Sequence, residues 1–251
     1  MTRHLYILTG ASRGLGLELA KQLLSNDHVL LCISRNTNQD LGALAERSGF
    51  ALEQLQFDLA NSVEVAAMLV RWLNSQSADL FSSATLINNA AVVPQLVPLS
   101  QAEPSDLAHS LRVNLVTPML LTSAFLRATQ AWQITRKVLN ISSGLGRQAQ
   151  ASQAGYCAAK AGMDHFTRCV ALDEALKPQG ARVCSLAPGV VDTDMQVQLR
   201  SAQASVFPGR NAYVNLKANG QLTSPAAAAA QVLGYLARSD FGSKPTGDVR
   251  E

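Results

Sequence analysis

Short runs of nearly continuous apolar residues alternate along this chain with longer segments of helical periodicity, and nothing else in the sequence constrains the fold as strongly. The runs are 5–9, 29–34, 52–58, 85–89, 137–142 and 181–187. A strand that is apolar at successive positions must be covered on both faces, which is the situation of a parallel strand between layers of helix. The segments 15–24, 63–73, 106–128 and 156–176 repeat apolar residues at three- and four-residue intervals, as one buried side of a helix requires. Parallel neighbours need crossover connections, and these are right-handed. The pattern predicts an α/β fold, a doubly wound parallel sheet with helices on both faces. No internal repeat and no Pro/Gly/Ser-rich linker interrupts it, so residues 1–251 read as a single domain.

Composition narrows the class. With 251 residues, 47% hydrophobic and 16% charged, the chain can bury a sizeable core without staples. Cys32, Cys157, Cys169 and Cys184 show no CxxC spacing, and the four histidines no zinc pattern. They read as reduced thiols of a cytoplasmic protein, with no metal expected. The 21 Lys and Arg are interspersed with 18 Asp and Glu, so the net charge of +3 forms no basic tract for nucleic acid or a membrane surface. It suits a small anionic ligand. No apolar stretch approaches the ~18 residues of a membrane-spanning helix, and the first apolar run is too short for a signal sequence. The segment 200–224 is polar and weakly periodic, with Pro208, Gly209 and Gly220, and is a candidate lid over a site. Ser224 and Pro225 then open an alanine-rich helix.

The first strand runs into TGASRGLG, Thr9 to Gly16. Gly10, Gly14 and Gly16 let the main chain turn sharply and approach a ligand without Cβ interference. The helix that follows directs free N–H groups and its positive dipole end at that ligand, as a pyrophosphate requires. The spacing is GxxxGxG rather than GxGxxG. Where a site for NAD usually carries an acid after the second strand, this chain reads Ser34-Arg35-Asn36. Arg35, together with Arg13 in the glycine loop, suits a 2′-phosphate that guanidinium groups grip bidentately, which favours NADP(H).

Tyr156 and Lys160 are four residues apart on a helical segment and share a face. A tyrosine has a pKa of about 10, and a neighbouring ammonium is expected to lower it by stabilising the phenolate. Ser142 and Ser143 end the apolar run just upstream, and strand C-terminal ends are where parallel sheets build their sites. Either hydroxyl would suit a substrate carbonyl oxygen.

With these motifs in view, the chain resembles the short-chain dehydrogenase/reductase family. The likeness covers nearly its whole length: TGASRGLG, Asp58-Leu59, NNAA at 88–91, Asn114 in RVNLVTP, NISSG, YCAAK at 156–160 and APGVVDT at 187–193. Ala91 departs from the family's usual glycine. The resemblance implies a Rossmann fold and an NADP-dependent oxidoreductase acting on the CH–OH/C=O couple. It implies Tyr156 as general acid, Lys160 as the residue that lowers its pKa and binds ribose, and Asn114 as the holder of a water in a proton relay. It selects Ser143 over Ser142 by its distance from the tyrosine (156 − 143 = 13).

For the cofactor, the resemblance implies Gly10, Ala11, Ser12, Arg13, Gly14, Leu15 and Gly16 around the phosphates and Arg35 and Asn36 at the ribose phosphate. It adds Asp58 and Leu59 at the adenine, Asn89 and Ala90 at its ribose, and Val191 and Thr193 at the carboxamide, beside Tyr156 and Lys160. Within the family, the second half and the tail SDFGSKPTGDVRE are similar to the subgroup of sepiapterin and bacterial benzil reductases. That likeness implies a carbonyl substrate, a 1,2-dicarbonyl or a pterin side-chain ketone, bound by Ser143, Gly144, Tyr156, Gly189 and Asp248, with Asp248 accepting from a pterin edge. Alternatives are a 3-oxoacyl or other reductase using the same residues, and a non-catalytic NADP-binding sensor. A homodimer or homotetramer is implied through helices 106–128 and 156–176.

Overall fold

In the computed structural model, which describes residues 2–251, seven strands form one parallel sheet in the order β3-β2-β1-β4-β5-β6-β7. The strands are β1 (Arg3–Thr9), β2 (His28–Ser34), β3 (Ala51–Gln56), β4 (Phe81–Asn88), β5 (Thr135–Ile141), β6 (Arg182–Ala187) and β7 (Thr246–Asp248). Six match the apolar runs to within a few residues. The seventh carries no apolar run: TGD pairs only because Leu186 and Ala187 offer it a free edge, in register with Gly247 and Asp248.

The sheet order reverses between β1 and β4, which opens a crevice at their C-terminal ends. On one face, α3 (Ser62–Asn74) packs on α5 (Thr117–Ala128) over a core that includes Leu69, Leu73, Leu121 and Phe125. On the other, α1 (Gly14–Leu23) packs on α9 (Pro225–Ala237) through Leu19, Leu23, Val232 and Leu236. Ser224 caps α9 by accepting from the Ala227 N–H at 3.2 Å, with Pro225 behind it.

Two departures from the sequence reading shape the site. The segment 106–128 is not one helix. It divides into α4 (Pro104–Leu111), a π-helical turn at Arg112–Val116 and α5. Pro118 lacks the N–H that an unbroken α-helix would direct at the Asn114 carbonyl, and a wider turn absorbs the missing bond. The helix read at 156–176 is α6 (Ala154–Ala175). Beyond it, the segment read as weakly periodic contains α8 (Arg210–Ala218) and the end of α7 (Asp194–Ser201). Phe207, fully buried, joins Leu96 and Leu199 in a small core of their own. One further helix, α2 (Gln39–Ser48), was not anticipated; only Leu41 and Ala45 of it are buried. Its ends are nonetheless written in the sequence, because Asn38 caps it and Gly49 closes it at φ +68°.

Candidate active site

The crevice opens into one cavity of about 640 Å³, a size that suits a cofactor and a small substrate. Its first wall is the glycine loop. A Cβ on Gly16 would run into the Gly10 carbonyl, and one on Gly10, at φ +73°, would lie 2.9 Å from Ala90 Cα. Side chains from neighbouring strands lock the loop. Ser34 Oγ accepts from Ala11 N at 2.9 Å, and Asn38 Nδ2 donates to Ser12 O at 3.0 Å. Thr9 Oγ1 accepts from the N–H groups of Asn89 and Ala90, while Asn89 Nδ2 returns a bond to Thr9 O at 3.0 Å. Arg13 stands at the N-cap of α1 without a side-chain cap bond, so the helix's leading N–H groups stay available to an anion.

Arg35, Asn36, Asp58 and Leu59 line the same cavity, as do Ser12, Arg13, Leu15, Asn89 and Ala90. Ala11 does not: it is buried, and its N–H serves the loop. The exposed guanidinium of Arg13 lies 3.2 Å from Asp194, an ion pair across the cleft mouth. The residues fit a dinucleotide, on the evidence of a cradle that any Cβ would fill and an uncapped helix end beside it.

The opposite wall comes from β5, α6 and the loop after β6. The structure separates the two serines. Both border the cavity, but Ser142 is buried and its hydroxyl is taken, donating to Asp164 Oδ1 at 2.6 Å. Ser143 lines the cavity beside Gly144 and Tyr156. Asp164 also accepts from Ser185 Oγ at 2.6 Å and faces Arg147 at 3.4 Å. This buried network beneath the site was not anticipated from the sequence, although Asp164 lies one turn beyond Lys160 on the same helix face.

Lys160 is 1% exposed and donates to Ile141 O at 2.8 Å, with Nζ 5.7 Å from the centre of the Tyr156 ring. The anticipated lowering of the tyrosine pKa is corrected here. Burial pushes the Tyr156 phenol up to about 12, against a smaller opposing effect of the nearby Ser143 hydroxyl. Burial also depresses the Lys160 ammonium to about 8, with Asp164 pulling it partly back. Desolvation holds both groups toward their neutral forms.

Asn114 is buried in the π-helical turn and does not line the cavity. Its side chain clamps the main chain of Val92, accepting from N at 2.8 Å and donating to O at 2.7 Å, and also donates to Ser110. Gly189, Val191 and Thr193 border the cavity after β6. Asp248 does not: it is buried on β7, and the residue that reaches the cavity there is Arg250. Among the described residues, no group of His, Cys, Asp and Glu is arranged to hold a metal ion. No helix among them is long and apolar enough to cross a membrane.

A glycine cradle at the sheet's reversal point, facing a Ser–Tyr–Lys wall, defines a nicotinamide-dependent oxidoreductase of the CH–OH/C=O couple. Residues 4–204 match the family model of the short chain dehydrogenases, and the chain belongs to that family. Two curated relatives match almost end to end. A Bacillus cereus benzil reductase ((S)-benzoin forming) is 36% identical over 97% of this chain and 96% of its own. A sepiapterin reductase of Meriones unguiculatus is 30% identical over 94% of this chain and 92% of its own. Among solved structures, a short-chain dehydrogenase/reductase of Burkholderia vietnamiensis is 34% identical, with a TM-score of 0.65 and 99% of both chains covered.

Proposed function

We propose that the chain is an NADPH-dependent reductase of a ketone flanked by a second carbonyl or imine on a flat body. The observation that carries this reading is the convergence of Ser143 and Tyr156, backed by buried Lys160, on the cavity that the glycine cradle enters. When bound, the dinucleotide supplies the hydride that reduces the carbonyl carbon. Ser143 donates a hydrogen bond to the carbonyl oxygen and polarises it. Tyr156 gives its proton to the same oxygen as negative charge develops there. A phenol held near 12 is fully protonated at neutral pH, as the donor in a reduction must be. Lys160 then offers its ammonium to the tyrosinate left behind. Asn114 anchors the main chain of Val92 next to this wall, and the π-helical turn sets its position.

Arg35 and Arg13 are the groups assigned to the 2′-phosphate, with Ser12, Leu15 and Asn36 around them; Asp58 and Leu59 serve the adenine end. Gly144 and Gly189 border the substrate, Val191 and Thr193 the carboxamide, and 200–224 acts as the lid. The relatives' substrates, benzil and sepiapterin, both present a carbonyl beside another unsaturated carbon and joined to flat rings. The enzyme is assigned to the cytoplasm, where its free Cys32, Cys157, Cys169 and Cys184 stay reduced. It is read as a homodimer through α5 and α6, where Met119, Leu172 and, just past the end of α6, Leu176 are exposed.

The test is coenzyme oxidation with benzil, a simple 1,2-diketone and sepiapterin, using NADPH and NADH, in wild type and Arg35→Asp. Wild type is expected to prefer NADPH. The variant should lose at least about tenfold in NADPH affinity, ~1.4 kcal/mol, and little in NADH affinity. An unchanged NADPH affinity would remove Arg35 from the assignment.

A further inference from the structure

The cavity's far wall holds a charged group that neither the glycine cradle nor the Ser–Tyr–Lys wall explains. Beyond β7 the tail turns along the loop after β6: Val249 N donates to Ala187 O at 3.0 Å, and a Cβ on Gly189 would lie 3.8 Å from Val249 Cγ2. Arg250 follows and lines the cavity with a side chain 65% exposed. Its position is fixed by Asp248, whose carboxylate is 9% exposed in its side chain. Asp248 Oδ1 accepts from Arg250 Nε at 2.7 Å and from Arg250 N at 3.0 Å, and Oδ2 accepts from Arg250 Nη2 at 2.6 Å. The chain turns directly after β7, with Glu251 N donating to Asp248 O at 3.1 Å, and this turn folds Arg250 back onto the Asp248 carboxylate. Arg147 adds a second cation nearby, donating to Gly247 O at 2.8 Å.

The chemical sign of the wall follows from this pairing. The carboxylate spends both oxygens on Arg250, whereas Nη1 of Arg250 bonds to no protein group among the described residues. Guanidinium donates and never accepts. A ligand reaching this wall therefore meets free N–H donors and not a free carboxylate. We propose that Arg250, oriented by Asp248, is a specificity-determining residue that selects ketones bearing a second acceptor oxygen, from a neighbouring carbonyl or carboxylate, over substrates whose far edge donates hydrogen bonds. The inference rests on the reductase reading above and assigns its substrate class. It moves the recognition anticipated for Asp248 to its partner, with Asp248 as the positioning residue.

The experiment uses Arg250→Met and the double variant Asp248→Asn/Arg250→Met, the second removing the carboxylate that the first leaves unpaired. Three ketones are compared at saturating NADPH: 1-phenyl-1,2-propanedione, phenylglyoxylate and propiophenone, which keeps one carbonyl on the skeleton of the first. In both variants kcat/KM for the diketone is expected to fall at least about tenfold, chiefly through KM, while propiophenone changes less than about twofold. A larger fall for phenylglyoxylate than for the diketone, with propiophenone spared, would support the proposal and rank the carboxylate as the stronger acceptor. Equal changes for diketone and propiophenone, or none for either acceptor substrate, would overturn the proposal.

Dissociation constants of phenylglyoxylate and acetophenone for the NADP-loaded protein, read by fluorescence titration, separate this inference from the reductase reading. Should no ketone turn over in wild type, the dicarbonyl reading fails. Tenfold weaker phenylglyoxylate binding in the variants, with acetophenone unchanged, would still support Arg250, and equal binding would sink it.

Discussion

The glycine wall of the cleft is made of main chain, whereas the wall facing it is made of buried titratable side chains. Between Thr9 and Gly16 the decisive facts are steric: a Cβ at Gly16 meets a carbonyl, and hydroxyls and amides from Ser34, Asn38, Thr9 and Asn89 saturate the loop. Across the cleft, Lys160, Asp164 and Tyr156 are each less than a tenth exposed, and the decisive facts are electrostatic. The first wall is set by shape, and its charged groups, Arg13 and Arg35, stand at its exposed rim rather than buried in it. The second has charge to lose with little change in shape. A variant at each wall should therefore fail in a different observable.

The largest effect is expected at Tyr156→Phe. Among the described residues, the phenol oxygen makes only a long contact to Met195 Sδ at 4.0 Å, so removing it costs the fold little. Turnover should fall at least about ten-thousandfold, ~5 kcal/mol of transition-state stabilisation. The NADPH dissociation constant should move by less than about twofold, measured by fluorescence titration. Turnover retained in this variant would dismiss Tyr156 as the acid; NADPH binding lost with it would blur the division between the walls.

The next effect belongs to the glycine wall. Gly16→Val drives a branched side chain into the Gly10 carbonyl, main chain that cannot yield, and against the Asn89 amide. NADPH should bind at least about a thousandfold more weakly, ~4 kcal/mol, and the melting temperature should drop with it. Gly234→Ala is the control: on α9 nothing lies within 4 Å of its added Cβ, and it should gain roughly 0.5–1 kcal/mol from reduced chain entropy. A Gly16 variant that binds NADPH normally would mean that the cradle is not shaped by the missing Cβ.

The difference between the walls also decides what was readable in the chain. Glycine spacing, a capping proline and apolar runs are local, so the cradle, six strands and the alanine-rich helix were legible. Tyr156 and Lys160 were legible as neighbours because a helix puts i and i+4 together. The direction of their pKa values was not, because it depends on how completely α6 and β5 exclude water, which no local spacing records. Ser142 and Ser143 are alike in sequence; Asp164, 22 positions from Ser142, tells them apart by taking the first hydroxyl. The break at Arg112–Val116 was readable in Pro118, and α2 in Asn38 and Gly49, but both signals were outweighed by the periodicity around them or by its absence. The Arg250–Asp248 fork had a signal as well, two opposite charges two residues apart at a chain turn. It had no meaning until β7 existed, and β7 is three polar or small residues that only a free sheet edge makes into a strand. The Arg13–Asp194 pair spans 181 positions and left no trace in either neighbourhood.

The smallest effect tests the electrostatic wall through stability. Lys160 titrates near 8 in the fold against a usual 10.5. Between those values the unfolded chain binds the proton and the folded chain does not, so stability rises with pH across this window. Below about 8 the buried ammonium is carried as a burden, roughly 3 kcal/mol by the size of the displacement. Lys160→Met removes that burden but strips the Ile141 carbonyl of its donor, which returns about 1 kcal/mol. The variant should therefore be inactive yet about 2 kcal/mol more stable at pH 7, a gain of several degrees for a chain this long. The gain should shrink as pH climbs from about 8 and, past 10.5, become a deficit of about 1 kcal/mol, because the burden is gone and only the lost bond to Ile141 remains. Burial raises Cys32, Cys184 and Tyr156, so all three weaken the fold at high pH. They do so in both proteins, and the difference curve from denaturant melts cancels them. A variant less stable than wild type at pH 7 would show that Asp164 and the Ile141 carbonyl compensate the ammonium in full. The second wall would then be held together by its charges rather than in spite of them.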